Sequence, residues 1–190
     1  GDIYYFGGNN NTVYIYEIIV EATKLGGSDT PAMQDIAVDM EDVLAAMDNT
    51  TEALTDKELI TAEVASSGIF VRGSKDLTLN KSTKLDKDGN TYNVRLKLGG
   101  NVESAALELN LQAGATVTVA VRSSSGSSAR DIGLFTAMDA DTAVGNTQHI
   151  DPNVDGDIVF VLTFNVEEAG TYYLGSVSSG LGIYAISVSY

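Results

Sequence analysis

Basic side chains that could bind a carboxylate lie in two short stretches of the sequence, "YNVRLKL" and "VRSSSGSSAR". In the first stretch, alternation along a strand places Arg95 and Lys97 on one face and the intervening apolar residues on the other. In the second, Arg122 and Arg130 flank a Ser/Gly loop, so a hairpin turn would bring the two guanidinium groups together. A planar guanidinium can donate two parallel hydrogen bonds to one carboxylate. These four cations are therefore the candidate ligand-binding residues.

Hydroxyl groups fill the loop between the two arginines. A serine hydroxyl both donates and accepts hydrogen bonds, which suits it to the oxygens of a sugar. The candidate site therefore also includes Ser123, Ser124 and Ser125. The alternative role is structural, because Arg122 and Arg130 could instead pair with Asp131 or with acids of neighbouring strands, as exposed ion pairs commonly do. The sequence leaves both alternatives open.

The middle third of the chain is the only basic part. The 190 residues carry a formal net charge of −15 and have a pI near 4.1. Residues 29–63 hold ten acids and one base, residues 64–130 hold five acids and nine bases, and residues 131–190 hold eight acids and no base. Nucleic acid is not an expected partner, because phosphate binding requires a basic surface. The basic segment favours an acidic ligand, although charge clusters also occur on ordinary solvated faces.

One loop has oxygen donors at alternate positions. The stretch "DPNVDGD" contains Asp151, Asn153 and Asp155 followed by Gly156, as in the first half of an EF-hand calcium loop. The twelfth position is Leu162, within an apolar stretch, so the bidentate acid of such a loop is missing. We expect either a partial structural calcium site or a turn rich in Asp and Gly, and no other cofactor.

The sequence offers few side chains suited to catalysis. The chain has no cysteine, and His149 is its only histidine, so a Ser-His-Asp arrangement would have to use this residue. No serine lies in a nucleophile-elbow pattern, and nothing in the sequence holds two carboxylates across a cleft, as glycoside hydrolysis requires. We therefore do not expect an enzyme.

Short alternating segments must position the candidate residues. From residue 68 onward, nine of them are separated by Gly, Ser, Asp and Asn turns, beginning with "IFVRG" and ending with "GIYAISVSY". Alternation at period two with frequent turns is typical of antiparallel β-sandwiches. The predicted fold is an all-β, jelly-roll-like antiparallel sandwich.

One amphipathic helix is predicted before the strands, from Pro31 to about Met47. Thr30 is the expected N-cap, and Pro31 suits the first helical position. Apolar residues, among them Ile36 and Met40, recur at helical spacing in this segment.

The two ends of the chain resemble each other. At a constant offset of 168 residues, "GDIYYFGGNNNTVYIYEIIVE" and "GTYYLGSVSSGLGIYAISVSY" share seven residues. We therefore divide the chain into a hairpin at 1–22 that resembles the closing strands of a preceding module, an acidic helical linker at 23–58, and a β-sandwich at 59–190. A lone hairpin is marginally stable, so we expect this one to pair with a neighbouring module or with another chain.

Four motifs, "RLKLGG", "TVTVAVRSSSGSSAR", "GTYYLGS" and "SGLGIYAI", occur in this order between residues 64 and 190. Together they resemble the pectin-binding carbohydrate-binding modules of family 77, which are appended to bacterial pectate lyases and pectin esterases. The resemblance implies a secreted, multimodular protein of plant cell wall degradation. It also implies a β-sandwich that binds pectic polysaccharide, such as homogalacturonan, through basic side chains and without chemistry. The helix, the acidic segment and the loop "GNTQHIDPNVDGD" depart from the family pattern.

Two other functions stay open. A structural subunit or tandem adhesin module of a cell-surface assembly would use the hairpin at 1–22 for strand addition. A module for neutral glycans would use exposed tyrosines, since the chain has no tryptophan. No apolar segment approaches the length that crosses a bilayer, so a membrane is not an expected partner.

Overall fold

The computed structural model describes residues 34–48, 53–75 and 77–190, and within these ranges the chain is predominantly β-structure. Sheet 1 has the strand order β3-β4-β11-β6-β9, with β1 also paired to β11, and sheet 2 has the order β2-β5-β10-β7-β8. The strands are β1 (Ile36–Asp39), β2 (Ile69–Gly73), β3 (Thr78–Leu85), β4 (Thr91–Leu98), β5 (Ala105–Leu111), β6 (Thr116–Ser123), β7 (Arg130–Phe135), β8 (Ala143–Ile150), β9 (Phe160–Asn165), β10 (Gly170–Ser176) and β11 (Leu181–Ser189).

Every strand pair within the two sheets is antiparallel. Along the chain, most consecutive strands from β4 to β11 lie in different sheets, which is a jelly-roll-like arrangement. The main core fills the space between the sheets with one face of each strand, as Leu96 of β4 and Val121 of β6 illustrate. The predicted all-β sandwich is therefore confirmed.

The N-terminal helix is shorter than the sequence predicts. Residues 36–39, which we expected within a helix from Pro31 to Met47, form β1 and pair with β11. The helix α1 covers only Met40–Ala46, and its N-cap is Asp39, whose Oδ1 accepts a hydrogen bond from the Glu41 amide at 2.7 Å. Edge pairing therefore overrides the helical spacing before residue 40, and the predicted cap Thr30 lies outside the described residues.

The described part of the predicted linker packs against the sandwich. Met40, Val43 and Leu44 of α1 are buried in the main core, and the Leu54 amide donates to the Leu77 carbonyl. The predicted hairpin at 1–22, and with it the expected strand pairing, lies outside the described residues. Within the described residues, no helix is long and apolar enough to cross a membrane.

A bidentate ion pair joins β2 to β5 in sheet 2. Arg72 donates from Nε and Nη2 to the two carboxylate oxygens of Glu108, at 2.9 Å each, and from Nη1 to Asp56 at 3.0 Å. Its guanidinium also lies 5.0 Å from the Phe70 ring centroid. The hydrogen bonds from Arg72 hold the pKa of Glu108 below its usual 4.5. This cluster lies in sheet 2, whereas the predicted ligand-binding residues Arg95, Lys97 and Arg122 lie in sheet 1.

Candidate functional site

Three predicted cations meet on one face of sheet 1. Lys97 of β4 and Arg122 of β6 both pair in register with Gly182 of β11, which lies between them. A β-carbon placed on Gly182 would lie 2.9 Å from Arg95 Cδ and 3.7 Å from Arg122 Cγ. Arg95 therefore lies across the glycine, and Lys97, Arg95 and Arg122 surround a position that has no side chain. We call this group the cation row.

Arg95 and Lys97 project from β4 as the alternation predicts. Both are half-buried, whereas Val94, Leu96 and Leu98 are buried. The Nε of Arg95 donates to Asn80 Oδ1 at 2.8 Å, across the β3–β4 pair. This neutral partner leaves the Arg95 charge available to a ligand.

Arg122 is not exposed in the way the sequence predicts. It is only 6% accessible, because the loop between β8 and β9 brings Asp157 onto its guanidinium. Nη2 of Arg122 donates to Asp157 Oδ1, while the second oxygen of Asp157 accepts from Lys84 Nζ. Among the described residues, the buried Nε of Arg122 has no hydrogen-bond partner. Arg122 therefore belongs to the cation row but is covered by an internal acid.

Arg130 lies in the other sheet from the cation row. It begins β7 of sheet 2 and is only 8% accessible, whereas the sequence predicts that it faces a ligand beside Arg122. Its role in ligand binding stays a prediction. Its guanidinium donates to the backbone carbonyls of Ala129 and Gly180, at 2.6 and 3.3 Å. Burial lowers the pKa of Arg130, since desolvation disfavours its charge. The predicted partner Asp131 instead pairs with His149, with 2.7 Å between Oδ1 and Nδ1.

Several hydrogen-bonding groups of the serine loop bind other groups of the protein. Ser123 is buried, and its hydroxyl accepts from the Ser125 amide at 3.2 Å. The hydroxyls of Ser125 and Ser128 lie 3.2 Å apart, and the Ser124 amide donates to the Gly180 carbonyl at 3.1 Å. These bonds shape the turn beside the cation row and leave fewer hydroxyls for a ligand than the sequence suggests.

The predicted calcium ligands form a helical turn instead of a calcium loop. Asp151 caps the short helix α2 (Pro152–Asp155) by accepting from the Asn153 amide, at 2.9 Å. The side chain of Asn153 donates to Asp151 and to the Ser127 carbonyl. Within the described ranges, no three His, Cys, Asp or Glu side chains are grouped so as to hold a metal ion. Of the two alternatives, these hydrogen bonds favour the turn rich in Asp and Gly, and a partial metal site at Asp151, Asn153 and Asp155 stays a prediction.

A groove that the sequence does not predict lies beside β1 and β11. Its volume is about 450 Å³. Small residues such as Ala120 and Ala185 lie in its lining together with Tyr92 and the exposed Val161. Asp39 and Glu63 add carboxylates, and burial raises the pKa of Asp39. The lining combines residues from distant strands, so no local pattern could have revealed it.

A tyrosine pair anchors one side of this groove. The rings of Tyr92 and Tyr184 are 5.7 Å apart and meet edge to face. The Tyr92 hydroxyl donates to Asp86 Oδ2 at 3.4 Å, and burial, together with this carboxylate, raises the pKa of Tyr92. Tyr184 is fully buried, whereas Tyr92 is half-buried and lines the groove, so only the latter is available to a ligand.

No protein-family model matches the chain, and no curated protein matches it. One similar solved structure comes from work on glycan recognition by the Ruminococcus flavefaciens cellulosome, and it has a TM-score of 0.43 at 12% sequence identity. The alignment covers 84% of this chain and 96% of the other chain. The CBM22-1 xylan-binding domain of Paenibacillus barcinonensis Xyn10C has a TM-score of 0.43 at 11% identity, covering 80% and 91%.

A third solved structure, the C-terminal CBM6 of the marine laminarinase LamC from Zobellia galactanivorans, has a TM-score of 0.32 at 16% identity. The alignment covers 83% of this chain and 100% of the other chain. Similarities of this size carry no argument about a ligand.

Proposed function

We propose that the chain is a non-catalytic carbohydrate-binding module that holds an acidic, pectic polysaccharide over the cation row of sheet 1. The observation that carries the proposal is the register of Lys97 and Arg122 on either side of Gly182, with Arg95 lying across the glycine. Homogalacturonan carries a carboxylate on each unesterified sugar, and lysine and arginine are the side chains that bind carboxylates.

The spacing of the cations suits a polymer. Adjacent strands lie about 4.8 Å apart, so the Cα atoms of Lys97 and Arg122, two strands from each other, are roughly 10 Å apart. Between them, the space over Gly182 is taken by the Arg95 side chain. A sugar chain lying across the strands could thus meet one cation after another.

The environment of His149 supports a non-catalytic role. Its imidazole is exposed and bonded to Asp131, whose hydrogen bond raises the pKa of His149. Among the described residues, no serine or threonine hydroxyl is bonded to this ring. We expect the protein to act outside the cell, since the proposed ligand is a plant cell wall polysaccharide.

A neutral glycan is a second candidate ligand, and the groove beside β1 favours it. An apolar lining with Tyr92 and Val161 suits the C–H faces of sugar rings, and carboxylates such as Asp39 accept from sugar hydroxyls. Binding there would be insensitive to salt and independent of Arg95.

Affinity electrophoresis with matched charge variants separates the two candidates. We expect Arg95→Ala and Lys97→Ala to weaken retention on low-ester homogalacturonan, because each removes a charge-assisted contact of about 1.5–3 kcal/mol. Lys81→Ala is the control, since Lys81 is an exposed lysine of the neighbouring strand β3. Equal weakening by all three variants would mean that only net charge matters. Retention on xylan or xyloglucan alone, with no effect of Arg95→Ala, would favour the groove.

A further inference from the structure

We propose that Lys84 and Arg122 form a carboxylate-binding subsite, and that Asp157 occupies it as an internal substitute for a uronate. The inference rests on the proposed function, since it assigns a subsite for the same acidic ligand. Asp157 joins the two cations by giving one oxygen to each, Oδ1 to Arg122 and Oδ2 to Lys84. A galacturonate carboxylate has the same two oxygens and the same charge.

The pairing leaves Arg122 incompletely satisfied. Asp157 accepts from Nη2, while the buried Nε has no partner among the described residues. Nε and one Nη of an arginine together form the fork that binds a carboxylate through two parallel bonds. Because Asp157 divides its oxygens between two cations, it does not fill this fork. A uronate that accepts from both nitrogens would satisfy the Nε that Asp157 leaves unpaired.

The acid is more accessible than the arginine it covers. The side chain of Asp157 is 37% accessible and that of Arg122 only 7%, so the guanidinium is buried beneath a carboxylate that reaches the surface. Asp157 follows Gly156, whose φ is +89°, and precedes Val159, whose amide is anchored to the Leu85 carbonyl at 2.9 Å. The Asp157 side chain could therefore rotate away without release of the anchored strand that follows.

The subsite is continuous with the cation row. The position of a β-carbon on Gly182 is 3.6 Å from Arg95 Nη1 and 3.7 Å from Arg122 Cγ. The serine loop closes the other side, since a β-carbon on Gly126 would lie 3.8 Å from Asp157 Oδ2. A galacturonan chain crossing Gly182 would thus bring a carboxylate to the position that Asp157 now holds. In this arrangement Asp157 competes with the ligand.

Calorimetric titration with trigalacturonate tests the competition. We expect Asp157→Asn to bind about tenfold more tightly than the unmodified chain, which corresponds to 1.4 kcal/mol. Asp155→Asn is the matched control, because it removes the same charge from the same exposed loop, and no hydrogen bond or ion pair of its carboxylate to Arg122 or Lys84 is present. Cellotriose serves as the neutral probe and should show no gain from either substitution.

The outcomes separate this inference from the proposed function. If the unmodified chain binds trigalacturonate but Asp157→Asn gives no gain, or no more than Asp155→Asn, the competition is refuted and the proposed function stands. If neither chain binds trigalacturonate, both fail. A gain confined to Asp157→Asn supports the subsite.

A measurement on the unmodified chain tests the subsite even if a variant does not fold. The side-chain NMR resonance of Arg122 Nε should shift on titration with trigalacturonate and stay unchanged with cellotriose. An Arg122 Nε resonance that does not respond to saturating trigalacturonate would overturn the subsite.

Discussion

Substituting Gly182 by alanine tests the geometry of the cation row with a single methyl group. The φ of Gly182 lies outside the positive range, so the backbone accepts alanine there. The new β-carbon, however, would lie 2.9 Å from Arg95 Cδ, which is closer than carbon atoms approach without a shift. Arg95 must therefore move off the glycine.

Two opposing effects keep the expected change in folding stability small. Moving Arg95 breaks its hydrogen bond to Asn80, which costs about 0.5–1.5 kcal/mol. Replacing a strand glycine by alanine restores about 0.5–1 kcal/mol of conformational entropy. We therefore expect the free energy of unfolding to change by less than about 1 kcal/mol. Affinity for low-ester homogalacturonan should fall at least about tenfold, because a charge-assisted contact is worth more than 1.4 kcal/mol.

Urea denaturation and calorimetric titration of the same samples measure the two effects. Gly170→Ala is the control, since a β-carbon at Gly170 meets only the Tyr172 side chain, at 3.6 Å and beyond, in sheet 2. It should leave affinity unchanged and raise the free energy of unfolding by no more than about 0.5–1 kcal/mol, the entropy effect of replacing a strand glycine. Gly182→Ala with full affinity would refute the role of Arg95 in the cation row, and a loss of several kcal/mol in stability would refute the proposed side-chain rearrangement.

Two further predictions concern ion pairs. Glu108→Gln should lower the free energy of unfolding by about 1 kcal/mol at neutral pH, since both side chains of the Arg72–Glu108 pair are only partly exposed. The pKa of Glu108 is lowered in the folded state, so this contribution is present above its usual 4.5 and is lost as pH falls through the folded value; an equal deficit in acid, measured by urea denaturation, would contradict it. His149 should titrate above its usual 6.5 in an NMR experiment, because the hydrogen bond to Asp131 favours the protonated ring. Asp131→Asn should bring the pKa of His149 down, and no difference between the two chains would show that Asp131 does not bind the ring.

The strands that pack on the core were predictable from sequence. β4 matches "TYNVRLKL" and β6 matches "TVTVAVRS", because burial of alternate residues between the sheets requires the alternation by which strands are recognised. β8 was missed because this edge strand buries only Ile150 fully and has few apolar residues. β1 was missed because Ile36 and Met40 also fit helical spacing, while the pairing of β1 with a distant strand has no local signal.

The candidate site was predictable only as far as strand alternation determines it. The common face of Arg95, Lys97 and Arg122 follows from alternation and register. The contact between Asp157 and Arg122 does not follow from alternation, because Asp157 lies 35 residues further along the chain and reaches the arginine only through the fold. The burial of Arg130 was hidden for the same reason, since the Gly180 carbonyl that it binds lies 50 residues further along the chain.

Titration of the unmodified chain with homogalacturonan of low and of full methyl esterification tests the central claim most directly. If the cation row binds sugar carboxylates, the low-ester polymer should bind, esterification should abolish binding, and salt should weaken it, because exposed charge pairs are screened. Equal affinity for both polymers, or an affinity that salt leaves unchanged, would contradict the account.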